Sequence, residues 1–193
     1  MKKILKNPAV ALIITFVLVF VSLQLNTRIK FGGQCNEISA QLYNSAGSPC
    51  IADGMRTLCS ATEKMLTLAG QLGIDVSTLD SDGKYADEQA ADLISDIRSA
   101  LRYEDGSARY LYYLYEALLS KTYAMETALA RSALSDADSA AFLAAKEEAS
   151  QARTLVENAD YNDIVRTFLK RYDRFPTSLI ASFAGVSMPN LFA

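Results

Sequence analysis

The sequence predicts an all-α protein, an antiparallel helical bundle of four to five helices tethered by one N-terminal transmembrane helix. Half of its 193 residues are apolar, and only four prolines interrupt them, a composition that favours helices over a β-rich fold. Beyond position 55 the apolar residues recur in alternating steps of three and four, the spacing of one helical face. Near the start stands an uncharged apolar run long enough to cross a bilayer. The length gives room for one domain with a genuine core plus an anchor. Five stretches follow in order: a basic head, 1–7; the transmembrane helix, 8–27; a Cys/Gly-containing juxtamembrane segment, 28–54; the bundle, 55–176; and a short helix with an apolar tail, 177–193.

The net charge of −3 hides an asymmetry. Lys2, Lys3, Lys6, Arg28 and Lys30 face no acid in the first thirty residues, so 14 bases and 22 acids remain, a charge of −8 for the rest. A net-acidic body without a basic block does not neutralise phosphates, and nucleic acid is not an expected partner.

From Pro8 to Leu25 the run contains Leu12, Ile13, Ile14, Phe16, Val17, Leu18, Val19, Phe20 and Val21. As a helix these residues cover roughly 27 Å, close to the hydrocarbon thickness of a bilayer, so membrane lipid is the partner expected of residues 8–27. A cleaved signal peptide is the rival reading, but the run exceeds a usual signal core and Ser22-Leu23-Gln24-Leu25-Asn26 lacks the small-x-small cleavage pattern. The flank before the span has three lysines and the flank after it two bases. That bias places the N-terminus in the cytoplasm and the body outside, a single-pass arrangement.

Cys35, Cys50 and Cys59 follow the anchor among Gly32, Gly33, Gly47, Pro49 and Gly54. In an exported body two of the three would close a loop disulfide, the pairing left open; in a reducing compartment all three are thiols. With no histidine in the chain and spacings of 15 and 9 residues they match no zinc pattern.

Gly32-Gly33 should interrupt the membrane helix, and a short amphipathic piece from Glu37 to Tyr43 follows. Met55, Leu58, Thr62, Met65, Ala69 and Leu72 then share one helical face, with Gly73 as the stop. The loop with Asp75, Asp80 and Asp82 lacks the closing Glu of a calcium loop, and is read as a solvated turn. Ala86, Ala90, Leu93, Ile97 and Ala100 line the next helix, which ends at Glu104-Asp105-Gly106-Ser107 in a helical hairpin. Leu111, Tyr115, Leu118, Thr122, Met125 and Leu129 form the clearest stripe. Tyr110, Tyr112 and Tyr113 surround it, either as flanks holding hydrogen bonds at the core boundary or as a contact surface.

Ser135 to Asp138 resembles a capping box and opens a long helix. Phe142, Ala145, Ala149, Ala152, Val156 and Ala159 make a small-residue seam in its first half; Tyr161, Val165, Phe168, Tyr172 and Phe175 serve the second. Ala159 and Tyr161 diverge by about 200°, so the helix bends near Asn158-Ala159-Asp160 or its second half meets a different partner. Pro176 ends it, Thr177 or Ser178 caps a short turn from Leu179 to Ala184, and Gly185 closes that turn.

Tyr161-Asn162, Val165, Tyr172, Phe175-Pro176, Leu179-Ile180-Ala181, Gly185 and Phe192 together resemble the C-terminal signature of the LemA family, bacterial membrane-anchored helical proteins. The close likeness covers about the last thirty-five residues, and the order of anchor, helices, long terminal helix, Phe-Pro and hook is similar over most of the chain. The chain resembles a divergent member: it has no tryptophan. The resemblance implies a membrane-tethered bundle without catalytic residues. Topologies proposed for the family include an external N-terminus, opposite to the reading of the lysines.

The chemistry points the same way. Without histidine there are no Ser-His or Cys-His nucleophiles and no Glu-x-x-His di-metal elements, and no glycine-rich phosphate loop occurs. Glu147-Glu148 reads as a solvated face. No enzyme activity, metal or cofactor is expected. The expected role is an interaction or scaffolding protein at the bacterial cell envelope, with further copies of itself or other envelope proteins as partners. The alternative is an extracytoplasmic sensor or small-ligand-binding bundle.

Overall fold

The structure, a computed structural model, describes residues 8–44, 49–76, 83–104, 106–172 and 185–193. The basic head 1–7, Gly47, Asp80, Asp82, Asp105, the Phe175-Pro176 stop and the turn at 177–184, Ile180 included, lie outside the described residues. Six helices occur among the described residues, and no strand: α1 (Pro8–Ala40), α2 (Ile51–Gln71), α3 (Ala90–Tyr103), α4 (Ala108–Ala130), α5 (Asp136–Glu157) and α6 (Tyr161–Tyr172). The all-α bundle expected from the apolar spacing is what forms. The chain divides into two compact units, one of Met1–Ser39 with Ile164–Pro189, the other of Ala40–Asp163 with Asn190–Ala193.

In the first unit α1 is a single helix of 33 residues, about 50 Å long, whose most apolar window has a mean hydropathy of 2.4 and no buried residue. It is long and apolar enough to cross a membrane. Leu12 and Phe16 are 71% and 70% exposed, a display of bare hydrocarbon that water penalises. Two of its hydroxyls are satisfied inside the helix, Thr15 donating to the Ala11 carbonyl (2.9 Å) and Thr27 to that of Leu23 (2.8 Å).

The break expected at Gly32-Gly33 does not occur; α1 runs through both to Ala40. Each glycine costs a helix about 1 kcal/mol relative to alanine, and tertiary packing outweighs that cost. Phe31, Cys35 and Ile38 form a stripe on α1 that meets Phe168, Leu169 and Tyr172 of α6, with Val186 and Met188. The Phe31 ring stacks on Phe168 at 5.4 Å and meets Tyr172 edge-on at 5.2 Å.

In the second unit α2 packs against α3, α4 and α5. Gly54 faces Ala152 and Val156 while Lys64 reaches Glu148 (2.5 Å), so α2 and α5 are antiparallel. Glu63 pairs with Arg98, and Arg56 lies near Arg102, which makes α3 antiparallel to α2 as well. The α3–α4 hairpin turns at Glu104, whose backbone is left-handed (φ 49°). Hence α2 and α4 run one way and α3 and α5 the other. The α4 stripe is buried as expected at Leu111, Tyr115, Leu118, Thr122, Met125 and Leu129. Fully burying each large apolar side chain contributes about 1.5–3 kcal/mol.

Local chemistry sets the ends. Ser107 and Ser135 accept from the backbone N–H groups of Tyr110 and Asp138, capping α4 and α5. Gly73 adopts φ +67°; its N–H reaches the Gly70 carbonyl and that of Ile74 reaches Ala69, the paired bonds of a glycine C-cap. Two boundaries differ from the expected ones. α2 begins at Ile51, because Cys50 is extended and already supplies the non-helical residue in front. α3 begins at Ala90, and Ala86 sits in a turn that seats the Tyr85 ring edge-on against Tyr113 at 5.5 Å. The mismatch between Ala159 and Tyr161 is resolved by a break: α5 stops at Glu157 and α6 restarts at Tyr161.

Candidate functional site

The first turn of α6 carries Tyr161 and Asn162, and both side chains grip the last residues of the sequence. The Tyr161 hydroxyl donates to the Asn190 carbonyl at 2.8 Å. The Asn162 amide binds both polar groups of one residue: Oδ1 accepts from the Phe192 N–H at 2.8 Å, and Nδ2 donates to the Phe192 carbonyl at 3.0 Å. A carboxamide offers a donor and an acceptor in one plane, so the side chain pairs with the N–H and carbonyl of Phe192 together. Two consecutive residues at a helix start thus hold three backbone groups of the terminal segment.

The Phe192 ring, 4% exposed, is packed against α4. It stands edge-on to Tyr112 at 5.3 Å and tilted against Tyr115 at 5.8 Å. Burial, followed by the influence of Tyr43, pushes the Tyr161 hydroxyl up to about 12, and burial followed by Glu116 and Glu157 does the same to Tyr115. Tyr161 therefore remains a proton donor throughout the neutral range. Tyr43 closes this end of the unit by donating to the Gly106 carbonyl at 2.8 Å.

A second concavity, about 600 Å³, lies between α2 and α3, with Leu66 and Ile94 among its lining residues and Glu63, Ser95, Arg98, Ser99 and Arg102 as its polar groups. A neighbouring hollow of about 330 Å³ adds Arg56 and Cys59. Both terminal Arg98 guanidinium nitrogens engage the Glu63 carboxylate, Nη2 at 2.6 Å, and Arg56 pairs with Asp53 at 2.9 Å. Arg102 forms no ion pair with another described residue. The groove thus has one cation without an ion pair among the described residues, Arg102, beside two serine hydroxyls.

The residues singled out from the sequence fall into four groups. Tyr161, Asn162 and Tyr112 belong to the clasp. Val165 is fully buried, Tyr172 belongs to the Phe31 cluster, and Gly185 takes φ +66°, a conformation suited to glycine. Phe175, Pro176 and Ile180 lie outside the described residues. The Tyr113 hydroxyl donates to Glu88 Oε1 at 2.6 Å, and Tyr110 stays 45% exposed.

Cys35, Cys50 and Cys59 are all buried free thiols. A disulfide between Cys50 and Cys59 conflicts with α2, which separates them by about 13 Å along its axis, beyond the reach of a bridge. Burial pushes the Cys59 thiol up to about 12; burial and the hydrogen bond to Asp53 push Cys50 up too.

Sequence reading missed the pairing of Asn162 with Phe192, thirty residues away. It also missed the α4–α5 link, where Arg153 lies 3.9 Å over the Tyr123 ring and binds Glu126 at 2.7 Å. A polar pair at a helix start and an aromatic near the chain end were the only signals for the first. In comparison with known proteins, no family model matches the chain, and neither a curated protein nor a solved structure matches it.

Proposed function

We propose that this chain is a membrane-anchored, non-enzymatic interaction or scaffolding protein of the LemA type at the bacterial envelope, assembling with further copies of itself or with other envelope proteins. The observation that carries the reading is α1, with its exposed apolar run at 8–27 and a mean hydropathy of 2.4 in its most apolar window. Such a surface is stable in lipid and costly in water.

The body stands outside the cytoplasm in this reading, on the bias of Lys2, Lys3 and Lys6. The native thiols are buried and report poorly on topology. Ala133→Cys, in the exposed α4–α5 connection, is the better probe. An impermeant maleimide should label it in intact cells; labelling only after lysis reverses the orientation. Mild detergent extraction followed by mass measurement should give an oligomer, and a monomer at every concentration contradicts scaffolding by self-assembly.

The α2–α3 groove favours a second reading, a bundle that binds a small anionic ligand through Arg102 with Ser95 and Ser99. A screen of phosphate- and carboxylate-bearing compounds should then raise the melting temperature of the wild type but not of Arg102→Ala. No shift in the wild type removes this reading.

A further inference from the structure

The chain sorts its charge by unit. Residues 40–163, nearly all of the second unit, hold 10 bases and 20 acids, a charge of −10. In the first unit, residues 28–39 of α1 and 164–172 of α6 hold Arg28, Lys30, Arg166, Lys170 and Arg171 against Glu37 alone, a charge of +4. Beyond them in sequence Asp173 and Arg174 cancel. The basic residues of both helices therefore collect in the unit that carries the apolar run.

Their depth follows from the aromatic contacts. The uncharged run 8–27 fills about 30 Å as a helix, the thickness of a hydrocarbon core, and the headgroup layer on each side adds about 5–8 Å. Phe31 lies four residues past Thr27, about 6 Å along the axis. Its ring meets both Phe168 and Tyr172, so the turn of α6 between them, which carries Lys170, stands at the level of Phe31. With the run in the core, Arg28 and Lys30 enter the headgroup layer and the Lys170 turn stands at its outer edge. Tyr172, on the same turn, is of the residue type enriched at that depth. Glu37 lies about 15 Å past Thr27, beyond the layer.

Direction follows from the helical repeat. Arg28 and Lys30 flank the stripe of Phe31, Cys35 and Ile38 that faces α6, at about 60° on one side and about 100° on the other. Lys170 stands about 160° from Phe168, on the side of α6 turned away from α1, and Arg166 shares that side one turn away, within a Debye length of the same level. All four side chains are exposed.

We propose that Arg28, Lys30, Arg166 and Lys170 form a basic collar that binds the headgroups of anionic phospholipids in the leaflet next to the body. The inference rests on α1 spanning the membrane and adds to it a choice of lipid. An apolar span alone does not distinguish headgroups, whereas each lysine or arginine near the surface favours an anionic one by about fivefold.

The full chain tests this in vesicles of phosphatidylcholine containing a trace of spin-labelled phosphatidylglycerol or spin-labelled phosphatidylcholine. The spectrum gives the fraction of each lipid held at the protein, and identical leaflets make orientation irrelevant. The wild type should hold phosphatidylglycerol at least about fivefold over phosphatidylcholine at low salt, and the preference should collapse at about 1 M salt. Arg166→Gln with Lys170→Gln should remove at least half of the preference, and adding Arg28→Gln with Lys30→Gln should bring it to parity. Arg166→Lys with Lys170→Arg keeps the charge and should keep the preference; its loss there contradicts an effect of charge. Arg131→Gln with Lys146→Gln, at two exposed bases of the second unit, should leave the preference unchanged. Equal holding of the two lipids by the wild type, or a full preference in the Arg166→Gln, Lys170→Gln chain, overturns the collar while the anchor stands. A wild-type chain that fails to float with the vesicles overturns the anchor and the collar together.

Discussion

Two glycines on α2 should respond to the same substitution with opposite signs. Gly70 faces open space, with nothing within 4 Å of the position an added Cβ would take. Gly70→Ala should therefore show the ordinary helical preference for alanine and stabilise the fold by about 0.5–1 kcal/mol. At Gly54 the added carbon would stand 2.5 Å from Val156 Cγ2, 2.9 Å from the Ala152 carbonyl oxygen and 3.2 Å from the Val156 nitrogen. A valine on a helix has one strongly preferred rotamer, and the other two obstacles are backbone. The α2 and α5 axes must then separate locally, loosening the seam of Ala145, Ala149 and Ala152. Overpacking of this kind costs about 1–3 kcal/mol, and subtracting the helical gain leaves a net loss of up to about 2.5 kcal/mol. Thermal unfolding of the purified full chain in detergent reads this as a shift of several degrees down for Gly54→Ala and a smaller shift up for Gly70→Ala. Adding Val156→Ala to Gly54→Ala removes the 2.5 Å contact and should restore part of the loss. A Gly54→Ala protein as stable as Gly70→Ala would refute the close approach of α2 and α5.

Other substitutions read the remaining contacts. The Thr62 and Thr122 hydroxyls lie 2.8 Å apart in the core, each also 2.7 Å from the carbonyl one turn before it, so two protons serve three contacts. Either Thr→Val change should cost about 1 kcal/mol by chemical denaturation and the double change less than the sum; strict additivity would mean that the hydroxyls do not couple. Glu126→Ala strands the largely buried Arg153 and should cost about 2–3 kcal/mol, whereas Lys64→Ala at an exposed lysine should cost under about 1 kcal/mol; equal costs would deny the difference in burial. Alkali should weaken the fold, because Cys59, Tyr115 and Tyr161 hold their protons up to about 12 when folded, while the unfolded chain releases them from ordinary values of 9.0 and 10.0. Their contribution is whole below pH 9 and is lost as pH rises towards 12; Cys59→Ala should delay the onset, and a urea midpoint constant across that window would contradict the burial of these groups.

Features set by local chemistry were legible from residues alone. The stripe from Leu111 to Leu129, the serine cap at Ser135, and the stop at Gly73 each depend on neighbours within one or two turns. Continuity through Gly32-Gly33 was not legible, because the compensating stripe of Phe31, Cys35 and Ile38 is stabilised by α6, more than a hundred residues later. The bend after Ala159 was visible as an angular mismatch, but whether it becomes a curve or a break depends on packing. Asn162 was readable as a motif residue, yet its role required knowing where Phe192 lies. The three tyrosines behave differently because position on a helix fixes direction but not company: Tyr112 meets Phe192, Tyr113 meets Glu88 and Tyr85, and Tyr110 faces outward.

The proposed anchoring role of α1 has a direct measurement. Membranes from cells making the full chain are washed with alkaline carbonate, which strips peripheral proteins, and the pellet and supernatant are probed for the chain. Retention of the intact chain in the pellet is expected, with release when Phe16→Lys and Leu18→Lys place two charges in the span at a cost of about 2.5–3.5 kcal/mol each. Appearance of the unaltered chain in the supernatant would contradict a helix held in the bilayer.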